Sequence, residues 1–304
     1  MRSCCSVLTT LESYEPIGGI FMKTSCKAKN AALSAVLVLL LAGTLPVSAA
    51  SRYETKPADF AVVVDGFAYD GSLLSVEDIA YVSLREFACM ADNSVVWWDD
   101  EEAAAYVKTD SLTLRAPEDE FYIEANGRML WCEYGVFTEN DILYLPLSRA
   151  AKAFGFDTTY VPEENTTYLT RLRSAVVPGE DFYDENDVYW LSKIIHAEAQ
   201  GEPFDGKLAV GNVILNRVDS DEFPDSIYDV IFDNDHGVQF TPTVNGAIHQ
   251  QPNDDSVLAA KLCLDDAVLN EQMLYFLNER IATSLWIPQN RTFVMAIGEH
   301  KFYS

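Results

Sequence analysis

The sequence is poor in basic residues. Its 304 residues include 21 Lys and Arg against 47 Asp and Glu, and the formal net charge is −26. Such an acidic chain has no means of binding nucleic acid by neutralising phosphates, and anionic membrane surfaces repel it. We therefore expect neither as a partner. An anionic substrate would need contacts from a local pocket, because the negative electrostatic field of the whole chain opposes its approach.

Cysteine and histidine are also scarce. After residue 50 only Cys89, Cys132 and Cys263 remain, and an odd, widely spaced set is no disulfide framework. A Cys89–Cys132 bridge is one interpretation, and buried thiols are the other. Residues 51–190 contain no histidine, and the chain has neither an HExxH pair nor a Cys/His metal pattern. We expect no metal and no cofactor.

No apolar run reaches the length of about 18 residues that a spanning helix needs. The longest, residues 31–42, follows a lysine-rich stretch and precedes VSA at 47–49, which is typical of a signal-peptide cleavage site. We interpret residues 1–50 as an upstream segment and a secretory signal peptide that starts at Met22. An N-terminal membrane anchor is the alternative.

Residues 59–170 are β-rich and contain an internal repeat. The stretches IAYVSLREFACMADNSVVWWDDEEAAAYVK, from residue 79, and ILYLPLSRAAKAFGFDTTYVPEENTTYLT, from residue 142, share one pattern. Each predicts a strand, a helix beginning after Ser83 or Pro146, a second strand, an acidic turn and a third strand. Such repetition indicates two copies of one supersecondary unit.

This repeat resembles the copper amine oxidase N-terminal-like domain, which implies a non-catalytic binding or spacer module. Copper is not implied, because the region has no histidine ligand. Trp97, Trp98 and Trp131 are candidates for a sugar-stacking face. We nevertheless expect at least two of them to be core residues.

The stretch DVYWLSKIIHAEAQ, residues 187–200, predicts an amphipathic helix. Leu191, Ile194 and Ile195 occupy one stripe, and Glu198 follows at i+7 on the same stripe. A carboxylate near a helix C-terminus is unfavourable by up to about 1 kcal/mol. That position and partial burial both raise the pKa of Glu198. A protonated carboxyl beside a cleft can act as the acid that cleaves a glycosidic bond. The alternative is that Glu198 turns to solvent or accepts from a backbone donor in the next loop.

Other nucleophiles and ligands are weaker candidates. His196 stands two residues from Glu198, on a different helix face, and His236, His249 and His300 are isolated, so we expect structural or surface roles for them. Cys263 lies in an apolar helical pattern, where a thiol is inert.

The stretch IIHAEAQGEPFDGKLAVGNVILNRV, from residue 194, resembles the signature of the SleB/CwlJ-type cell-wall hydrolases, the family of spore cortex-lytic enzymes. Further family segments follow in the same order. They are FPDSIYDVIF, VQFTPTVNGAI, MLYFLNERIATSLWI and AIGEHKFYS. The resemblance covers about residues 185–304.

The resemblance implies a lysozyme-like fold with a single catalytic glutamate that cleaves peptidoglycan glycan strands. Glu198 would protonate the oxygen between N-acetylmuramic acid (or its lactam) and N-acetylglucosamine. It would then take a proton from the C6 hydroxyl and close a 1,6-anhydro ring. Gln239, Phe240, Tyr275 and Asn278 match family positions and are expected along the sugar cleft. Core burial is the alternative for Phe240 and Tyr275.

The predicted fold is α+β with two domains. A β-rich module with an internal repeat, residues 51–172, is followed by a linker, residues 173–184, and by a mainly α, lytic-transglycosylase-like catalytic domain, residues 185–304. The expected partner is peptidoglycan, without membrane insertion after signal cleavage. The expected location is secreted or associated with the cell wall or spore envelope, although the unusual front module leaves general wall remodelling open as a role.

Three alternatives stay open at this point. The first is hydrolysis by water, which a second carboxylate would favour. Glu202 is the carboxylate nearest to Glu198 in the sequence. We nevertheless expect Glu202 to have a structural role in the turn that follows Gly201. The chain could instead be a non-catalytic wall-binding protein with a degenerate hydrolase domain. A metal-dependent peptidoglycan amidase or peptidase is the third alternative, and the scattered histidines argue against it.

Overall fold

The computed structural model describes residues 53–91, 93–172, 174–235, 237–282 and 284–304. The predicted signal peptide lies outside these residues. These described residues form one compact unit. Within the described ranges, no helix is both long and apolar enough to cross a bilayer.

The first region is β-rich, as predicted, with two helices. Its helices are α1 (Leu84–Ala88) and α2 (Leu147–Phe154). Its strands are β1 (Thr55–Pro57), β2 (Ala61–Val64), β3 (Phe67–Ala68), β4 (Leu73–Val76), β5 (Ile79–Ser83), β6 (Val95–Asp99), β7 (Ala104–Lys108), β8 (Thr113–Pro117), β9 (Tyr122–Ala125), β10 (Arg128–Trp131), β11 (Phe137–Glu139), β12 (Ile142–Pro146), β13 (Phe156–Val161) and β14 (Thr166–Arg171).

The internal repeat is confirmed. One copy is β5-α1-β6-β7 and the other is β12-α2-β13-β14. Their first strands lie side by side and antiparallel, with Leu145 opposite Val82, in a sheet of order β1-β4-β5-β12-β11. The other two sheets have the orders β10-β9-β8-β7-β6 and β13-β14-β2-β3. Both helices begin where predicted, after Ser83 and Pro146.

Two of the three tryptophans contradict the expectation of core burial. Trp131 is 6% exposed and packs in the apolar core of the second region. Trp97 and Trp98 are 41% and 40% exposed. Both lie on β6, which is the last strand of its sheet. An edge strand has a neighbour on one side only, so its large side chains stay partly in solvent.

The second region is mainly helical, as predicted, and ends in a small sheet of order β15-β17-β16. Its strands are β15 (Tyr275–Leu277), β16 (Phe293–Ile297) and β17 (His300–Tyr303). Its helices are α3 (Gly179–Phe182), α4 (Glu185–Ala199), α5 (Phe204–Val218), α6 (Ile227–Phe232), α7 (Pro242–Asn245), α8 (Asp254–Leu264) and α9 (Trp286–Asn290). Helices α4, α5 and α8 pack together and contribute much of the second core.

A buried charge cluster joins the two regions. The Asp265 carboxylate, fully buried after α8, accepts from Arg128 Nε at 2.7 Å and Nη2 at 2.6 Å and from Lys152 Nζ at 2.7 Å. The Tyr183 hydroxyl lies 3.2 Å from the same carboxylate. A buried carboxylate is stable only when it is paired in this way. The β-rich region is therefore fixed against the helical one at this point.

The segment predicted as a linker, residues 173–184, is also hydrogen-bonded to the β-rich region. Asn126 Nδ2 donates to the Val176 carbonyl at 3.1 Å, and Gly179 N donates to the Asn126 carbonyl at 2.8 Å. Gly179 packs so closely on Gly127 that a Cβ there would lie 2.5 Å from the Gly127 carbonyl oxygen. The exact domain boundaries stay a prediction.

Candidate active site

Helix α4 presents Glu198 at the edge of the core. Asp184 caps the helix, because its Oδ1 accepts from Asn186 N at 2.8 Å. Leu191, Ile194 and Ile195 are fully buried, as the stripe predicts. Glu198 continues this stripe one residue before the helix ends and is therefore only partly buried.

Burial controls the titration of Glu198. It raises the pKa of this carboxyl from its ordinary value of 4.5 to about 7, and no neighbouring charge contributes. Within the described ranges, no donor hydrogen-bonds the carboxyl, so nothing stabilises its ionised form. Glu198 therefore holds a transferable proton near neutral pH.

Glu198 lines a cleft with a volume of about 1170 Å³. The four predicted sugar-contact residues, Gln239, Phe240, Tyr275 and Asn278, line the same cleft. They come from the loop between α6 and α7, from β15 and from the turn after β15. The structure thus brings all five predicted site residues together, although up to 80 positions separate them in the sequence.

Three of these four residues are held by different contacts. Phe240 is 3% exposed and belongs to the core as well as to the cleft wall. Tyr275 is partly exposed, and its hydroxyl lies 2.6 Å from Arg291 Nη2. Asn278 Nδ2 donates to Glu299 Oε2 at 2.8 Å. These contacts fix the positions of the cleft side chains.

Arg217 lies at the floor of the cleft. Its Nε donates to the Leu274 carbonyl at 2.7 Å, and its Nη1 to Gln239 Oε1 at 3.4 Å. Burial lowers the pKa of the guanidinium to about 10. Three aromatic rings lie within 5.3 Å of Arg217 Cζ, those of Phe223, Phe240 and Tyr275. Arg217 therefore has a structural role, because these contacts support the cleft wall.

His300 was not predicted as a site residue, yet it lines the cleft with Glu198. It is 8% exposed, its ring lies 5.2 Å from that of Phe276, and its Nδ1 has no hydrogen-bond partner in the described chain. Burial lowers its pKa, against the opposing effect of Glu202 and Glu299. The pairing of β17 with β15 and β16 places it there.

Glu202 does not line the cleft. Its Oε2 accepts from the backbone N of Glu299 at 2.9 Å, so it holds the turn between β16 and β17. The adjacent Gly298 has φ +57°, and a Cβ there would collide with the Glu202 carboxylate. Glu202 thus has a structural role, but its side chain holds the turn between β16 and β17 and not, as expected, the turn that follows Gly201.

The other candidate groups of the sequence, the buried cysteine thiols and His196, lie outside the cleft. Burial raises the pKa of the Cys263 thiol to about 12, which leaves it inert. Cys132 is likewise a buried, free thiol, which excludes the Cys89–Cys132 bridge. His196 Nδ1 accepts from Asn253 N at 3.3 Å, a structural contact. In the part of the chain described, no three His, Cys, Asp or Glu residues are grouped as metal ligands.

Comparison with known proteins links both regions to families. Residues 201–303 match the family described as Cell Wall Hydrolase, and residues 63–169 match the Copper amine oxidase N-terminal domain. Glu198 lies three residues before the first of these matches.

The chain is also similar to spore cortex-lytic enzymes. It is 36% identical to the one from Bacillus subtilis (strain 168) over 143 residues, which are 46% of this chain and 45% of that protein. It is 37% identical to the one from Oceanobacillus iheyensis over 120 residues, 40% and 42% of the two chains. The chain thus spans less than half the length of these relatives.

Among solved structures, the catalytic domain of the germination-specific lytic transglycosylase SleB from Bacillus anthracis shares 34% identity. The match covers 42% of this chain and 100% of that one, with a TM-score of 0.37.

Proposed function

We propose that this chain is a secreted, peptidoglycan-degrading enzyme, because residues 201–303 match the Cell Wall Hydrolase family. It cleaves the bond between N-acetylmuramic acid, or muramic lactam, and N-acetylglucosamine. It acts as a lytic transglycosylase with Glu198 as its single acid–base group. Its setting is the cell wall or spore envelope, with cortex lysis during germination as the process, in keeping with its similarity to spore cortex-lytic enzymes.

In the proposed mechanism, Glu198 first donates its proton to the glycosidic oxygen. The bond to C1 of the muramic residue breaks, N-acetylglucosamine leaves with a new hydroxyl, and positive charge develops at C1 and the ring oxygen. The ionised Glu198 then takes the proton of the C6 hydroxyl, and that oxygen bonds to C1. Glu198 is again protonated, and the product carries a 1,6-anhydro ring. No water is consumed.

The observation that carries this proposal is that burial alone raises the pKa of Glu198. A retaining glycosidase has a second carboxyl about 5–5.5 Å from the first, and an inverting one has it at about 6.5–9.5 Å. An ionised group at the shorter distance would repel the Glu198 carboxylate and add to the shift. Glu202 is the nearest candidate in the sequence, but its carboxylate already accepts a hydrogen bond from the backbone N–H of Glu299. Asp221, Glu222, Asp233 and Asp235 also line the cleft, but none of them contributes to the shift at Glu198, which favours one carboxyl in both roles.

The cleft supplies the groups that binding of a glycan needs. Tyr275 offers a ring surface for the apolar face of a sugar, and Phe240, which is 3% exposed, contributes to the cleft wall. Gln239 and Asn278 offer amides for hydroxyl and N-acetyl groups. We assign substrate binding to these four residues, and assign no metal or cofactor to the reaction.

The test is digestion of cortical and vegetative peptidoglycan, in separate reactions, with product analysis by mass spectrometry. Anhydro-ended fragments from the wild-type protein, and none from Glu198→Gln, are expected. Reducing ends would instead mean hydrolysis. Glu202→Gln is the matched control, and full activity of Glu198→Gln would overturn the assignment. Binding to sacculi with no soluble products from either wall would favour the non-catalytic alternative.

A further inference from the structure

A second large cavity lies between the two regions. We call it the junction groove; its volume is about 1260 Å³, and it shares no residue with the catalytic cleft. One wall is the face of the sheet that contains β7, β8 and β9, and the other includes α4 and α8. Tyr106, Arg115 and Glu124 lie on the first wall, and Tyr189 and Lys261 on the second.

A row of side chains crosses the sheet wall. Trp97, Tyr106, Arg115 and Glu124 are direct cross-strand neighbours on β6, β7, β8 and β9. Directly opposed residues point to the same face of a sheet. The rings of Trp97 and Tyr106 stack at 5.2 Å with an interplanar angle of 8°. The row begins at the sheet edge with the exposed Trp97 and continues into the groove.

The row is held in place by a small hydrogen-bond network. Glu102 Oε2 accepts from the Tyr106 hydroxyl at 2.7 Å and from Arg115 Nε at 2.9 Å. The side chains are thereby ordered before any ligand arrives, which reduces the entropy cost of binding. Flat aromatic faces next to planar polar groups suit a sugar ring, whose C–H face stacks while its hydroxyl and amide groups form hydrogen bonds.

The charge of the groove differs from that of the whole chain. Three cations and four anions line it, so it is almost balanced within a chain of net charge −26. They are Lys108, Arg115 and Lys261 against Asp110, Glu124, Glu180 and Glu185. A strong polyanion or polycation would find no complementary field here. A long, polar ligand of low net charge fits both the lining and the volume.

We propose that the junction groove binds a segment of peptidoglycan glycan distinct from the segment in the catalytic cleft. The identity of this ligand rests on the proposed function. Helix geometry separates the two sites. Tyr189 and Glu198 are nine residues apart on α4, which at 100° per residue places them on opposite faces. The groove therefore holds a neighbouring segment and keeps the enzyme on an insoluble wall while the cleft acts.

The test uses the full protein with Glu198→Gln, so that the wall is not digested during a binding assay. Sedimentation with purified sacculi is measured for Tyr106→Ala and Tyr189→Ala, which both remove a ring from the lining of the groove, in this background. Tyr160→Ala is the matched control, because Tyr160 is an exposed tyrosine of the same region with one side-chain hydrogen bond, and it lies outside the groove. Thermal unfolding of each variant confirms that it is folded.

Each groove variant should weaken binding about tenfold, as expected for loss of an aromatic anchor, and the control should bind normally. With Glu198 restored, both groove variants should cleave short soluble glycan fragments at the wild-type rate. Binding within twofold of the parent for both groove variants, or an equal loss in Tyr160→Ala, would overturn the proposal. If groove-dependent binding occurs while the wild type cleaves no wall, the proposed function fails and the groove assignment stands.

Discussion

The buried carboxylate of Asp265 provides a strong test of how the two regions are joined. Changing Asp265 to Asn keeps the size of the side chain and removes its charge. Arg128, which is 6% exposed, then loses a bidentate partner, whereas Lys152 keeps Asp266 at 3.0 Å. Removing one partner of a buried ion pair typically costs about 3–5 kcal/mol, because the other charge remains buried. We expect the free energy of unfolding to fall by that amount.

The measurement is equilibrium unfolding in urea, followed by tryptophan fluorescence. Trp131 reports on the junction, since it lies in the core of the helical region although it belongs to β10. Because the regions share this core and the Asp265 cluster, the wild-type protein should unfold in one transition.

Two controls isolate the buried charge. Asp266→Asn removes a carboxylate that is 79% exposed, and exposed pairs contribute at most about 1 kcal/mol. The double variant Arg128→Met/Asp265→Leu removes both buried charges and should recover most of the lost stability. A loss below about 1 kcal/mol for Asp265→Asn, or two separate wild-type transitions, would refute the reasoning.

Further predictions concern the cleft. Activity should fall as the pH rises above about 7, since Glu198 then loses the proton it must donate, and a pH–rate profile checks this. Because the pKa of Glu198 rises on folding from 4.5 to about 7, its ionisation adds no instability below pH 4.5 and destabilises the fold increasingly up to pH 7. Glu198→Gln should therefore be about 1–3 kcal/mol more stable than the wild type at pH 8 but not at pH 4, by urea unfolding. Glu202→Ala should lower stability by about 1–2 kcal/mol, because the Glu299 N–H loses its acceptor, whereas Glu202→Gln should retain most of it. Activity should persist in a chelator, and its loss there would favour a metal-dependent amidase.

The helix periodicity was sufficient to predict the environment of Glu198. Its stripe is defined by residues within one helix, so burial and a raised pKa followed from local sequence. The internal repeat could also be predicted from the sequence, since both copies keep the same order of strands and helix. The positions of Gln239, Phe240, Tyr275 and Asn278 came from resemblance, because nothing local says that these segments meet.

The features that were missed depend on pairing between distant segments. His300 reaches the cleft through the register of β17 with β15 and β16. The exposure of Trp97 and Trp98 follows from the edge position of β6, which strand composition does not reveal. Arg128 and Asp265 are 137 residues apart, and no sequence pattern joins them. Local patterns predict elements, whereas tertiary contacts decide which polar residues meet.

The parallel pairing of β2 with β14 has a consequence for folding. Thr166 lies opposite Ala61, and Asn165 Nδ2 donates to the Asp59 carbonyl, 106 residues earlier in the chain. The first strands of the β-rich region thus complete their sheet only after nearly all of that region has been made. Such non-local contacts have a high loop-closure entropy and slow the folding of a domain. During that interval β2 can pair only with its neighbour β3, and its other edge stays open as a site for aggregation or for capture by a chaperone.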